Sequence, residues 1–330
     1  MEVTIEELRE GVAELERAVE AAVIGQTEVV RQVIIALVAG GHVLLEGVPG
    51  LGKTLLVRSL SEALGIAHAR VQFTPDLMPA DITGTNLLVE EGNGRAFRFM
   101  PGPLFTNLLL ADEINRATPK TQAALLEAMQ ERQVTAGDAT RPLPKPFFVL
   151  ATQNPVEQEG TYPLPEAQLD RFFFKIQVPF PTASELGRIL DLTLRPEPPK
   201  IEHVTRASSV VGATALVRSV PIASHLKALA VRLILCSHPD QPDAPSAVRQ
   251  YVRFGCSPRA LQSLVLAAQV RALLEGRLNV AAEDLEAVAK PAMRHRVGLN
   301  FEAGADGVTP DQIVEAIWAG AVALEGAAAR

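Results

Sequence analysis

Gly47-Val48-Pro49-Gly50-Leu51-Gly52-Lys53-Thr54 satisfies the spacing G-x-x-x-x-G-K-[ST] in full. Glycines at such positions let backbone amides close around phosphates, and the start of a following helix adds a favourable dipole. Lys53 would reach the β- and γ-phosphates of a nucleotide, and the Thr54 hydroxyl would ligate Mg²⁺. A second set of groups lies 58 residues on, where the apolar run Leu108-Leu109-Leu110-Ala111 ends in Asp112-Glu113. Asp112 is expected to hold Mg²⁺, and Glu113 to orient and polarise an attacking water. A Glu directly after the Asp points to hydrolysis rather than to nucleotide binding alone. Asn154, at the end of Phe147-Phe148-Val149-Leu150-Ala151-Thr152-Gln153-Asn154, offers an amide to the γ-phosphate or the water. It could equally be a cap or turn residue ahead of Pro155.

These groups need strands that deliver them to one edge. Residues 42–46 read as a short buried strand before the glycine loop, and 55–64 as the helix after it, so that Leu55 joins residues 47–54 as a nucleotide-binding position. Residues 108–113, 147–154 and 172–178 read as further strands, the last after Asp170-Arg171. Apolar strands with polar residues only at their carboxyl ends are what a nucleotide site at the edge of a parallel sheet requires. Strands alternating with helices from residue 40 to 180 predict a doubly wound α/β sheet covered on both faces.

The 330 residues, 48% of them hydrophobic, suffice for two domains. A net charge of −7 gives the whole chain no electrostatic footprint for nucleic acid. Two cysteines, Cys236 and Cys256, lack metal-like spacing and suit a reducing cytoplasm. The start Met1-Glu2-Val3-Thr4-Ile5-Glu6-Glu7 lacks the basic opening of a signal peptide, and no apolar run approaches bilayer-spanning length. Pro179-Phe180-Pro181-Thr182 marks a boundary, with Thr182 able to cap a helix over 183–192. Arg195-Pro196-Glu197-Pro198-Pro199 reads as a stiff linker. Beyond it, 223–236, 260–274 and 282–294 carry the 3.6-residue apolar period of a small helical bundle, and 312–324 suggests one more helix. His295 and Trp318 read as packing residues. Two hairpins are expected, one within 76–103 around Glu91-Gly92-Asn93-Gly94-Arg95 and one within 132–146 around Gly137-Asp138.

With these residues in place, the chain resembles the AAA+ ATPases, and within them the MoxR family, over roughly residues 20–296. The resemblance is carried by Val23-Ile24-Gly25-Gln26, the phosphate loop, Gly102-Pro103-Leu104-Phe105, Ala111-Asp112-Glu113-Ile114-Asn115-Arg116, Ala151-Thr152-Gln153-Asn154-Pro155, 164–172 and Gly255-Cys256-Ser257-Pro258-Arg259-Ala260. It implies a core over 1–181, with N-terminal helices in 5–40, a helical lid over 182–296 and an extension over 297–330. It makes the phosphate loop Walker A, Asp112-Glu113 Walker B and Asn154 the sensor-1 residue. It also makes Arg171 an arginine finger reaching a neighbouring subunit and Arg259 the sensor-2 arginine. Arg171 could instead pair with Asp170 or Glu166, and Arg259 could be a charge in a helix's first turn. The hairpins become the helix-2 insert and the pre-sensor-1 hairpin, with Arg95, Phe97 and Arg98 facing a pore or partner. The resemblance implies Mg-ATP hydrolysis by a head-to-tail hexameric ring that remodels protein complexes, with a von Willebrand factor A domain partner and a protein client. Two other classes remain, a nucleic-acid motor, which the net charge disfavours, and a slow nucleotide switch, which the complete set Glu113, Asn154 and Arg171 disfavours.

Overall fold

The computed structural model describes residues 3–48, 50–91, 94–136, 139–154, 161–197 and 199–328. Five parallel strands form its sheet: β1 (Val43–Glu46), β2 (His68–Gln72), β3 (Leu108–Asp112), β4 (Phe148–Gln153) and β5 (Phe174–Gln177). Their spatial order is β2-β3-β4-β1-β5, every neighbouring pair parallel. The period of two splits their side chains between two cores. Val43, Leu45, Leu108, Leu110, Phe148 and Leu150 point to one cluster, which the helices Ile5–Glu20, Thr27–Ala39 and Lys53–Leu64 complete. Leu44, Leu109, Ala111, Val149 and Ala151 point to the other, with Leu125, Leu126 and Met129 of the helix Pro119–Glu131. Helices on both faces explain why the three central strands read as unbroken apolar runs. The doubly wound sheet expected from the sequence is the one observed.

The expected hairpins form between Gly84–Glu91 and Gly94–Pro101, and between Gln133–Ala136 and Ala139–Pro142. Their tips, Gly92-Asn93 and Gly137-Asp138, lie outside the described residues. A short helix, Pro79–Thr83, precedes the first hairpin. On that hairpin Leu88 stands opposite Phe97, and they are 53% and 76% exposed.

Thr182 caps the helix Ala183–Thr193 by accepting from the Glu185 amide at 3.4 Å. After the Pro-rich segment the chain returns to the N-terminal helices. Thr205 and Arg206 bond Glu14, Thr214 donates to Val38 O, and a Cβ on Gly11 would stand 3.0 Å from Arg206 Cβ and Val210 Cγ2. The helical half is therefore not free-standing but shares the first core cluster. Its main helices are Ser224–Cys236, Pro258–Leu274 and Ala282–Met293. The final helix is longer than expected, Pro310–Ala328, and buries Ile313, Val314, Ile317 and Ala321, with Trp318 packed partly against the same core. A two-stranded ladder, Val252–Phe254 with Gly298–Leu299, is an addition that the sequence reading lacks. Two or three residues carry no periodic signal.

Candidate nucleotide site

β1 ends at Glu46 and the chain enters the glycine loop. Gly50 and Gly52 take φ of 84° and 74°, and a Cβ on either would meet nothing within 4 Å. The left-handed backbone, not crowding, calls for glycine there. The loop feeds the helix Lys53–Leu64, whose first turn presents its amides toward a cavity of about 270 Å³. Gly47, Gly50, Gly52, Lys53 and Thr54 line this cavity, facing Asp112, Glu113 and Asn154. Pro49 and Pro155 lie outside the described residues. Val48 is exposed beside the loop. Leu51 and Leu55 line a second, mainly apolar cavity of about 560 Å³ that shares Gly50 and Gly52 with the first. Val23, Ile24, Leu186 and Ile189 form its walls, a compartment suited to a flat apolar base beside one suited to phosphates. Buried Gln26 ties that wall to the loop by donating to Leu51 O at 2.7 Å.

Lys53 Nζ donates to Gly47 O at 2.6 Å. Burial lowers its pKa, while Asp112, Glu113 and Glu46 pull the other way. The ammonium is thus poorly solvated, and a polyphosphate would supply the anion it lacks. The two acids are fixed by Thr152 on the neighbouring strand. Thr152 Oγ1 donates to Asp112 Oδ1 at 2.6 Å and accepts from the Glu113 amide at 2.8 Å. Glu113 itself has φ 55° and ψ 51°, a left-handed conformation that is strained for a residue with a Cβ. Its carboxylate takes Arg116 Nη1 at 2.9 Å. Arg70 Nη2 donates to Asp112 Oδ2 at 2.7 Å. Hard oxygens from Thr54 and Asp112 on one cavity suit Mg²⁺. Among the described residues no group of three or more His, Cys, Asp or Glu is disposed to hold a metal ion. A divalent cation here would depend on nucleotide phosphates for much of its shell.

Arg171 and Arg259 line neither cavity. Asp170 accepts from Ser257 Oγ at 2.6 Å, Arg296 Nε at 2.9 Å and Arg259 Nη1 at 3.3 Å, while Glu166 pairs with Arg253. Both acids offered as partners for Arg171 are thus engaged elsewhere, and Arg171 Nε is buried without a hydrogen-bond partner among the described residues. Arg296 is almost wholly buried and also donates to the carbonyls of Asp170, Phe172, Phe173 and Ala292. His295 bonds Phe172 O at 3.0 Å as a packed residue.

A family model described as the ATPase family associated with various cellular activities (AAA) matches residues 42–174, and one for the AAA lid domain matches 244–317. The chain is 40% identical over 307 residues to Chaperone MoxR1 of Mycobacterium tuberculosis, spanning 92% of this chain and 80% of that protein. It is 35% identical over 325 residues to Protein MoxR of Methylorubrum extorquens, spanning 92% and 93%. This chain belongs to the MoxR family of AAA ATPases. A solved structure of a putative ATPase from Cytophaga hutchinsonii aligns at a TM-score of 0.88 with 39% identity, covering 95% of this chain and 94% of that one.

This MoxR-family protein is accordingly an ATP hydrolase with an AAA α/β core and a helical lid, and the two cavities are its candidate nucleotide site. The sequence reading missed three residues that line the phosphate cavity: Arg70, Gln72 and Thr152. Arg70 and Gln72 sit on β2, an edge strand that is largely exposed and so lacks the apolar run that marks the others. Thr152 lies two residues before Asn154 on a strand that had been recognised, and the period of two was the available signal.

Proposed function

We propose that this chain uses Mg-ATP hydrolysis, in a head-to-tail ring, to remodel or assemble protein complexes. The observation that carries the reading is the arrangement of Asp112, Thr152 and Glu113 across the cavity from Lys53 and Thr54. Loop amides and Lys53 would hold the phosphates, and Thr54 and Asp112 the metal. Mg²⁺ bound there would neutralise charge on the phosphate oxygens. Glu113, aimed by its left-handed backbone, would accept a hydrogen bond from the attacking water. Asn154 would contact the γ-phosphate. Arg171 would serve a neighbouring subunit, a role supported by its place outside its own cavities. Arg259 would reach phosphate only after leaving Asp170, so its role is tied to lid movement.

Such a shared site needs a ring, for which we propose six subunits. We divide the chain into a core through residue 181, a lid from 182 to 296 and an extension over 297–330, whose helix Pro310–Ala328 packs against the lid helices Ser224–Cys236 and Ala282–Met293. The exposed Leu88 and Phe97 offer an apolar surface to a client or to a von Willebrand factor A domain partner, the partner class that the resemblance to the MoxR family implies. Free, buried Cys236 and Cys256 favour a cytoplasmic setting. Among the described residues no helix is long and apolar enough to cross a membrane.

The test is the solution mass of Glu113→Gln with and without Mg-ATP. A nucleotide-dependent shift to about six subunits is expected from a shared site. A monomer at micromolar concentration with ATP bound would remove the basis for Arg171 acting in a neighbour.

A further inference from the structure

β2 lies beside β3, with Arg70 in register with Leu110 and Gln72 with Asp112. The period of two sends Arg70 and Gln72 to the same side at the carboxyl edge of the sheet. There Arg70 Nη2 donates to Asp112 Oδ2 at 2.7 Å and to Gln72 Oε1 at 3.0 Å. Thr152 already occupies Asp112 Oδ1. Both oxygens of Asp112 therefore carry a donor, and the positive charge directly on the carboxylate is Arg70. Lys53 spends its bond on Gly47 O instead. The Arg70 side chain is 50% exposed and that of Asp112 only 17%. The guanidinium is a tethered cation that can swing away, and the carboxylate is the fixed partner.

A guanidinium and a divalent cation on the same carboxylate oxygen repel each other, and the smaller ion with twice the charge interacts more strongly at contact. We propose that Arg70 is an exchangeable counter-cation of Asp112. It neutralises the carboxylate and yields Oδ2 when a divalent cation is delivered with nucleotide. Arg70 thereby sets how strongly nucleotide binding depends on the metal. The inference rests on the reading of Asp112 as a metal-binding side chain.

The experiment measures affinity for fluorescent ADP by anisotropy, once in EDTA and once in excess Mg²⁺, and takes the ratio as the gain that magnesium confers. Without Arg70, Asp112 repels phosphates in EDTA, and no competitor opposes the metal when it is present. Arg70→Ala is therefore expected to raise the gain by about two- to fivefold, the range set by a half-exposed ion pair. Arg70→Lys, which keeps a charge, is expected to stay near wild type. A gain in Arg70→Ala that is unchanged or smaller overturns the proposal. If that variant fails to fold, Arg70→Gln answers the same question. Asp112→Asn separates the two readings. If it retains the full magnesium gain, Asp112 does not hold the metal, and the metal assignment falls together with the exchange. If it loses the gain while Arg70→Ala is silent, only the exchange falls.

Discussion

Replacing Thr152 by Val keeps the side-chain volume and removes one hydroxyl that makes two contacts. The first is the 2.6 Å bond to Asp112 Oδ1, a charge-assisted bond worth about 1.5–3 kcal/mol. The second is acceptance from the Glu113 amide at 2.8 Å, whose loss leaves a partly buried donor unpaired at about 1 kcal/mol. Together they predict a stability loss on the order of 3 kcal/mol. The effect on turnover is separate, because this bond helps hold the left-handed backbone that aims Glu113. If half of the lost energy is alignment realised in the transition state, kcat falls by roughly ten- to thirtyfold. KM for ATP should change little, since Lys53 and the loop amides are untouched. Steady-state ATP hydrolysis and urea denaturation of Thr152→Val and Thr152→Ser provide the check. Ser keeps the hydroxyl and should retain most of the turnover. Equal kcat in the two variants would refute the claim that this hydroxyl aligns the acids.

Asp170→Ala leaves the buried Arg296 guanidinium without its carboxylate, and urea denaturation should show a loss of about 3–5 kcal/mol. The double variant Asp170→Ala/Arg296→Met should recover much of it, and a single-variant loss under about 1 kcal/mol would show that the carbonyls suffice. His42 is buried, with Nε2 on Met129 O and Nδ1 accepting from the Val149 amide, and burial lowers its pKa from 6.5 to about 4. A depressed histidine stays neutral when folded while the unfolded chain protonates. Stability is therefore whole above pH 6.5 and is lost as pH falls toward 4, by about 3 kcal/mol from this residue. His295, lowered by burial and then by Arg296, acts in the same direction. Melting temperatures from pH 7 to pH 4.5 should fall less steeply for His42→Gln than for wild type, and parallel slopes would exclude His42 as the source.

Features that depend on neighbours along the chain were legible in the sequence. The left-handed turns at Gly50 and Gly52, the lysine at the start of a helix and the acids at the end of a strand are local patterns with local causes. The three central strands were legible because a sheet buried on both faces demands continuous apolar runs. Contacts between distant segments depend on how the whole fold packs. Arg70 meets Asp112 across 42 positions, Thr152 meets it across 40, and Arg296 meets Asp170 across 126. The edge strand that carries Arg70 is half solvated, so its composition resembles that of a loop. The same holds for Arg259, whose place on Asp170 rather than on the phosphate cavity depends on where the lid packs. Spacing along the chain records which groups a strand can deliver to its end. It does not record which neighbour will meet them there, because that follows from strand order and helix packing, which many separated residues fix together.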